Sequence, residues 1–241
     1  MQDAPEEVTA KTAGKVQEAH NDLVLSFLAL RKAIGILGLF LPAGLLVFAA
    51  FQPAGLLPSI SHYYYSPMSD LFVGTMVAIG VFLWAYEGYR PEGDELITDK
   101  RVGRAAALGA FGVAFSPIPP ETDVVCTVLQ CALGNRVAAL VHYGAAVLFF
   151  AALAVFCLVL FVKSAGGQSS PKRRRNGIFR VCGWTIVAAL AVIVALGLLP
   201  GPEMKARING LSLVFWFEAV AVVAFAFSWI VKGRMIAPLN G

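Results

Sequence analysis

Charge is what this sequence has least of. Of its 241 residues only 14% are Asp, Glu, Lys or Arg, against about 25% in an ordinary soluble domain, while 58% are hydrophobic. One water-surrounded core cannot absorb that surplus, so the composition excludes an ordinary soluble domain and predicts an integral membrane protein. Histidine is scarce as well. The three present make no His-x-x-x-His or His-Glu-x-x-His pair, the spacings that would set two metal ligands on one helix face. There is no phosphate-binding glycine loop, dinucleotide fingerprint or nucleophile elbow. The net charge of +4 is accounted for by basic loops flanking apolar runs, which argues against a nucleic-acid partner. The mixed-charge stretch from Met1 to Asp22 lacks the apolar core and small-residue cleavage site of a secretory signal. It is expected to be retained as a cytosolic tail.

What is present is a series of long apolar runs. A helix needs about 20 apolar residues to cross the hydrocarbon layer. Six runs qualify, the second and third being short: Ala33 to Phe51, Leu71 to Tyr86, Val102 to Pro117, Val137 to Val162, Val181 to Leu199 and Leu211 to Val231. Unpaired backbone groups are not tolerated in lipid, and the alternating pattern of a barrel strand is absent, so each run is expected to be a helix. The fold class is therefore all-α: a six-helix transmembrane bundle over residues 27–233, preceded by a polar segment 1–26 and followed by a tail 234–241. Of the 19 Lys and Arg residues, 16 fall in the N-terminal segment through Lys32, the loop with Arg90, Lys100, Arg101 and Arg104, the Lys163 to Arg180 loop, or at Lys232 and Arg234. Arg136, Lys205 and Arg207 lie opposite. The positive-inside rule then puts both termini in the cytoplasm of a bacterial inner membrane. Trp84, Trp184 and Trp229 fall at the three helix ends on that side, and the Tyr63, Tyr64, Tyr65 run on the other, as interfacial anchors do. Ala106, Ala110 and Ala114, with Gly109 and Gly112 beside them, let another backbone approach the third helix closely and mark it as central. Pro42 should bend the first helix. Pro117, Pro119 and Pro120 should end the third, and Pro200 and Pro202 the fifth.

Titratable groups at membrane depth are costly, and they direct the search for a site. Asp70 opens the second helix, His142 lies about 8 Å into the fourth and Glu218 about 10 Å into the sixth, all three helices running in one direction. Those levels agree, and His62 in the preceding loop could join them. Together they make a candidate polar site for a ligand or, in an alternative reading, a metal held by His62, His142, Asp70 and Glu218. Each also has a plainer role. Asp70, like Asn135 and Asn209, suits a helix N-cap, and His142 suits a hydrogen bond to a neighbouring helix. Glu218, two turns inside an apolar run, must be protonated, paired or beside water. Ser61 and His62, being adjacent, face opposite ways and make no catalytic dyad. Cys126 and Cys131 share the loop before the fourth helix and are a disulfide candidate, while Cys157 and Cys182 read as small apolar fillers. Lys172, Arg173, Arg174 and Arg175 form a run expected to contact anionic lipid headgroups, each worth about 1 kcal/mol near such a surface.

The segments PSISHYYYSPMSDLFVGTMVAIGVFLWAYEGY, VHYGAAVLFF and FWFEAVAVVAFAFSWIVKG resemble an uncharacterised bacterial six-helix membrane family. More distantly the layout is similar to the damage-regulated autophagy modulator family, whose Ile-Ser-Asp segment is matched by Ile60 and Ser61, with His62 in place of the Asp. The resemblance implies six helices and a role near membrane lipids, and it carries no catalytic residue and no cofactor. The expectation is a non-enzymatic membrane protein that binds or passes a lipid or small polar ligand at an outward-facing cavity. The alternatives are an intramembrane metal-dependent lipid hydrolase, a proton-coupled transporter working through Glu218, and an accessory subunit of a membrane complex. The partners expected are membrane lipids, with a second copy or a membrane-complex partner as further candidates.

Overall fold

The computed structural model describes residues 4–89, 94–120, 125–163 and 170–236, with no side chain described before Phe27 or at Pro171. Arg90, part of the charge reading above, and the end of the tail beyond Ile236 lie outside the described residues, as do the side chains of the polar segment 1–26. All regular structure among the described residues is helical: α1 (Ala4–Ala50), α2 (Ser69–Trp84), α3 (Asp99–Phe115), α4 (Val128–Val155), α5 (Ser170–Leu198), α6 (Pro202–Gly210) and α7 (Leu213–Lys232). A 3₁₀ turn, Ile60–Tyr65, precedes α2, and α4 runs on into a π-helical turn, Phe156–Leu160.

Four helical stretches are long and apolar enough to cross a membrane: Phe27–Ala50, Val128–Leu160, Lys172–Leu198 and Leu213–Lys232. α2 is a shorter apolar helix. The short helices nevertheless reach between the same two ends as the long ones. At one end, Lys163 beyond the π-turn pairs with Glu95 in the α2–α3 loop at 2.8 Å. At the other, the Tyr65 hydroxyl of the 3₁₀ turn donates to the Ile118 carbonyl after α3 and accepts from Gln130 in the first turn of α4. The first of these is called the basic end here, since Arg31, Lys100, Arg101 and Lys232 all cluster there; the second is the 3₁₀ end.

The small residues of α3 do what their spacing implies. Ala106, Ala110 and Ala114 are fully buried, and α3 packs on both α2 and α4. A Cβ placed on Gly109 would lie 2.7 Å from the Phe149 backbone nitrogen and 2.8 Å from the Ala145 carbonyl oxygen. α1 and α5 flank α7 on the opposite side of the bundle.

Several local expectations are corrected. α1 begins at Ala4, well before the apolar run, with Pro42 inside it. α5 begins at Ser170, so the basic run Lys172–Arg175 is helical and not loop. Pro202 opens a further helix, α6, and Ser212 at φ 49° separates it from α7. The cap of α4 is Thr127, in a reciprocal capping box with Gln130, and α4 is broken internally at Gly134 (φ 81°), one residue before Asn135. Asn209 lies within α6 and Ser212 precedes α7, so neither Asn caps the helix assigned to it. Trp84 and Trp184 are exposed, as interfacial anchors would be, but Trp229 is at 0% exposure. It stands edge-on to Tyr86, Phe156 and Phe161, with ring centroids 5.0, 5.2 and 5.3 Å away. Its indole N–H, with no hydrogen-bond acceptor, faces aromatic surroundings instead. The disulfide Cys126–Cys131 closes the start of α4, and Cys157 and Cys182 are buried thiols.

Candidate functional site

The 3₁₀ turn folds into the mouth of the bundle because both of its flanks are tied down. Ser212 donates to the Leu56 carbonyl and the Phe215 N–H to the Pro58 carbonyl, which fastens the incoming strand of chain to the start of α7. Ser59 caps the turn, its hydroxyl oxygen accepting from the His62 N–H. Tyr63 is fully buried, and its phenol accepts from the Leu57 N–H. Tyr63 is thus a packing element of the turn and not an interfacial anchor, while Tyr64 and Tyr65 are half-buried. Burial pushes the Tyr63 phenol above its ordinary range and the Leu57 N–H pulls against it; burial likewise raises Tyr64, and Tyr65 against the opposing bond from Gln130.

This turn presents its first residues to α7 and α4. The Ile60 N–H donates to Glu218 Oε2 at 2.6 Å, so the carboxyl group of α7 is fixed by a backbone donor. The next residue, Ser61, bonds His142 Nε2 through its hydroxyl at 2.9 Å, and His142 Nδ1 bonds the Ser116 carbonyl oxygen at 2.6 Å. A carbonyl has no proton to give, so Nδ1 carries the hydrogen and the neutral ring offers Nε2 as an acceptor to the Ser61 hydroxyl. Ser61 is at 8% exposure and His142 at 2%. The chain of bonds ends at the Ser116 carbonyl, so it holds the imidazole in one tautomer and one orientation but passes no proton further.

A cavity of about 40 Å³ lies beside this network, and both Glu218 and Ser61 line it. That is room for about one or two water molecules. The other walls are apolar, among them Phe72, Met76, Phe149 and Val222. It is only partly enclosed, and its lining comes from α1, the 3₁₀ turn, α2, α3, α4 and α7, with Ala146 of α4 and Glu218 of α7 the partly exposed residues on two facing helices that touch each other little. They close on each other toward the basic end, where Phe149 stacks edge-on to Phe225 at 6.1 Å and the Cys157 thiol bonds the Ser228 hydroxyl. Toward the 3₁₀ end Leu140, Tyr143 and Val147 of α4 are exposed.

Of the four residues singled out in the sequence, Glu218 and His142 are joined to consecutive residues of one turn. Asp70 is not brought to them: it is exposed, in the first turn of α2, whose cap is Met68 with no side-chain bond. His62 bonds the Ser59 hydroxyl through Nδ1 at 2.6 Å. Among the described residues no three His, Cys, Asp or Glu side chains are grouped as a metal ion would need. The sequence reading missed Ser61 as the partner of His142 and Gln130 as the residue that pins Tyr65. Thr127-x-x-Gln130 was legible as a capping box, and that signal alone would have placed Gln130 on the first turn of a helix.

Comparison with family models, with curated proteins and with solved structures finds no match in any of the three. The fold itself defines the class: an all-α protein built on four helices of membrane-spanning length, with a polar cluster set beside a small, mainly apolar cavity.

Proposed function

We propose that this chain is a six-crossing membrane protein with cytoplasmic termini, and that the crevice between α4 and α7 binds a lipid or a lipid-like molecule carrying a small polar group. What supports six crossings is that α2 and α3, though short, run between the same ends as the longer helices. At 16 and 17 residues they span about 25 Å, within reach of a slightly thinned bilayer. What supports the orientation is the gathering of basic side chains at one end.

The ligand reading is carried by one observation. Glu218, a carboxyl group with one oxygen already taken by the Ile60 N–H, lines a partly open, mainly apolar cavity inside a bundle whose long helices are of membrane-spanning length. A cavity of that size holds a headgroup atom or about one or two waters, not a whole polar metabolite, and its apolar walls favour an acyl chain lying along α4. The test is photo-crosslinking in liposomes with a phospholipid carrying a diazirine on its acyl chain. Adducts are expected to concentrate on Tyr143–Phe150 and Phe217–Val222, and Ala146→Trp, which fills the cavity mouth, should remove most of them. Adducts spread evenly over every lipid-facing helix, unchanged by Ala146→Trp, would exclude a specific site.

A further inference from the structure

We infer that Ser61 is an activated serine nucleophile, with His142 its general base, and that the crevice carries out acyl transfer from an ester-containing lipid. The inference rests on the lipid reading of the crevice and goes beyond binding. A serine becomes nucleophilic when a neutral imidazole accepts its proton and a third group holds that imidazole in the correct tautomer. All three parts are present: Ser61 Oγ is 2.9 Å from His142 Nε2, and the Ser116 carbonyl oxygen holds Nδ1 at 2.6 Å. Here a backbone carbonyl does what a carboxylate more often does. Ser61 lines the cavity and His142 does not, so the hydroxyl and not the ring meets an incoming carbonyl.

The plainer arrangement would be a buried histidine satisfied by any convenient hydroxyl. Against it stands the cavity: a purely structural hydroxyl needs no opening beside it, and a second polar group, Glu218, faces the same space. The reaction balances without any external oxidant or reductant. Ser61 Oγ forms a bond to the ester carbonyl carbon as its proton passes to His142 Nε2. The carbon–oxygen bond to the alcohol portion then breaks, and that oxygen takes the proton from Nε2. Water or a second alcohol repeats the sequence on the acyl-serine, giving its proton to Nε2 and its oxygen to the acyl carbon, and Ser61 Oγ recovers the proton as it leaves.

The experiment uses the full chain in liposomes with a long-alkyl fluorophosphonate, which phosphonylates activated serines. The adduct is mapped by peptide mass spectrometry in the unmutated protein, so that no variant need fold for the question to be answered. The expected result is an adduct on Ser61, absent in Ser61→Ala, formed at least about tenfold more slowly in His142→Gln, and slowing as pH falls and the imidazole takes up a proton. No adduct on Ser61 in the unmutated protein, or one whose rate ignores both His142→Gln and pH, overturns the nucleophile. Diazirine crosslinking of the same sample separates the two ideas. Crosslinking retained without phosphonylation leaves the lipid site standing and removes only the chemistry.

Discussion

Arg31 carries a full charge at 4% exposure, and its surroundings explain how. Its Nε and Nη2 both donate to the Tyr86 hydroxyl, at 3.2 and 2.9 Å, and its guanidinium lies 4.0 Å above the centre of the Phe27 ring. The Tyr86 hydroxyl in turn donates to buried Asp99, while Lys232 sits over Phe161 at 5.0 Å and Tyr89 at 5.3 Å. Buried charge of this kind is more costly to break than its net contribution suggests, because the remaining partner is left unpaired. Arg31→Met should therefore lower stability by about 3 kcal/mol or more in thermal unfolding of the detergent-solubilised protein. Arg31→Lys should recover only part of it, since an ammonium cannot both fork onto one hydroxyl and stack on a ring. An Arg31→Lys protein that melts with the unmutated one would mean that charge alone matters at this position, and one that melts with Arg31→Met would mean that charge without the guanidinium contributes nothing. Little of this cluster was legible from the sequence. Lys232 and Arg31 were visible only as topology signals, and Trp229 only as a boundary residue, because their meeting depends on α1, the α2–α3 loop and α7 converging. The same holds at the site. His142 and Glu218 stood out as polar groups in apolar runs, but Ser61, 81 residues before His142, could be judged only against its neighbour His62.

Helix by helix, periodicity served better than polarity. The four-residue spacing of Ala106, Ala110 and Ala114, with Gly109 and Gly112 beside them, marked α3 as a central helix that packs on both α2 and α4, because small side chains matter there through backbone approach and not through any partner they must find. Boundaries fared worse. The run Lys172–Arg175 was taken for loop by its charge, whereas those residues continue α5 by more than two turns; charge marks the membrane boundary and not the end of hydrogen bonding. A matched pair of glycine substitutions measures how tight the α3–α4 contact is. Gly109→Ala would push a methyl group against backbone atoms of α4, which cannot swing aside, so it should destabilise by about 1–3 kcal/mol. Gly74→Ala, in α2 with nothing within 4 Å of the added carbon, should be neutral or gain up to about 1 kcal/mol. Chemical denaturation of both in one micelle system makes the comparison. A Gly109→Ala protein as stable as Gly74→Ala would mean that the two helices separate freely.

How the bundle stands in a bilayer depends on whether α2 and α3 cross it or form a hairpin that enters and returns, and the two arrangements predict different sidedness. With six crossings, Gln52 before α2 and Val125 before α4 lie outside, while Leu96 between α2 and α3 lies inside. With a re-entrant hairpin, only the four long helices cross and all three positions share one side. Each is solvent-exposed or in a loop, so Gln52→Cys, Leu96→Cys and Val125→Cys report without disturbing a packed residue. The native thiols interfere little, because Cys157 and Cys182 are buried and Cys126 is joined to Cys131. An impermeant maleimide applied to intact cells should label the reporters at 52 and 125 and spare the one at 96 until the membrane is opened. Reporters at the exposed positions Lys205 and Arg173 should follow the outside and inside patterns respectively. Lateral packing favours the six-crossing outcome. A hairpin lifted partway out of the bilayer would separate Glu95 from Lys163 and strand the buried side chains of α3 beside α4, undoing the contact through Ala145 and Phe149 that the glycines of α3 make possible. Labelling at 96 from outside would therefore contradict the helix packing as well as the charge distribution.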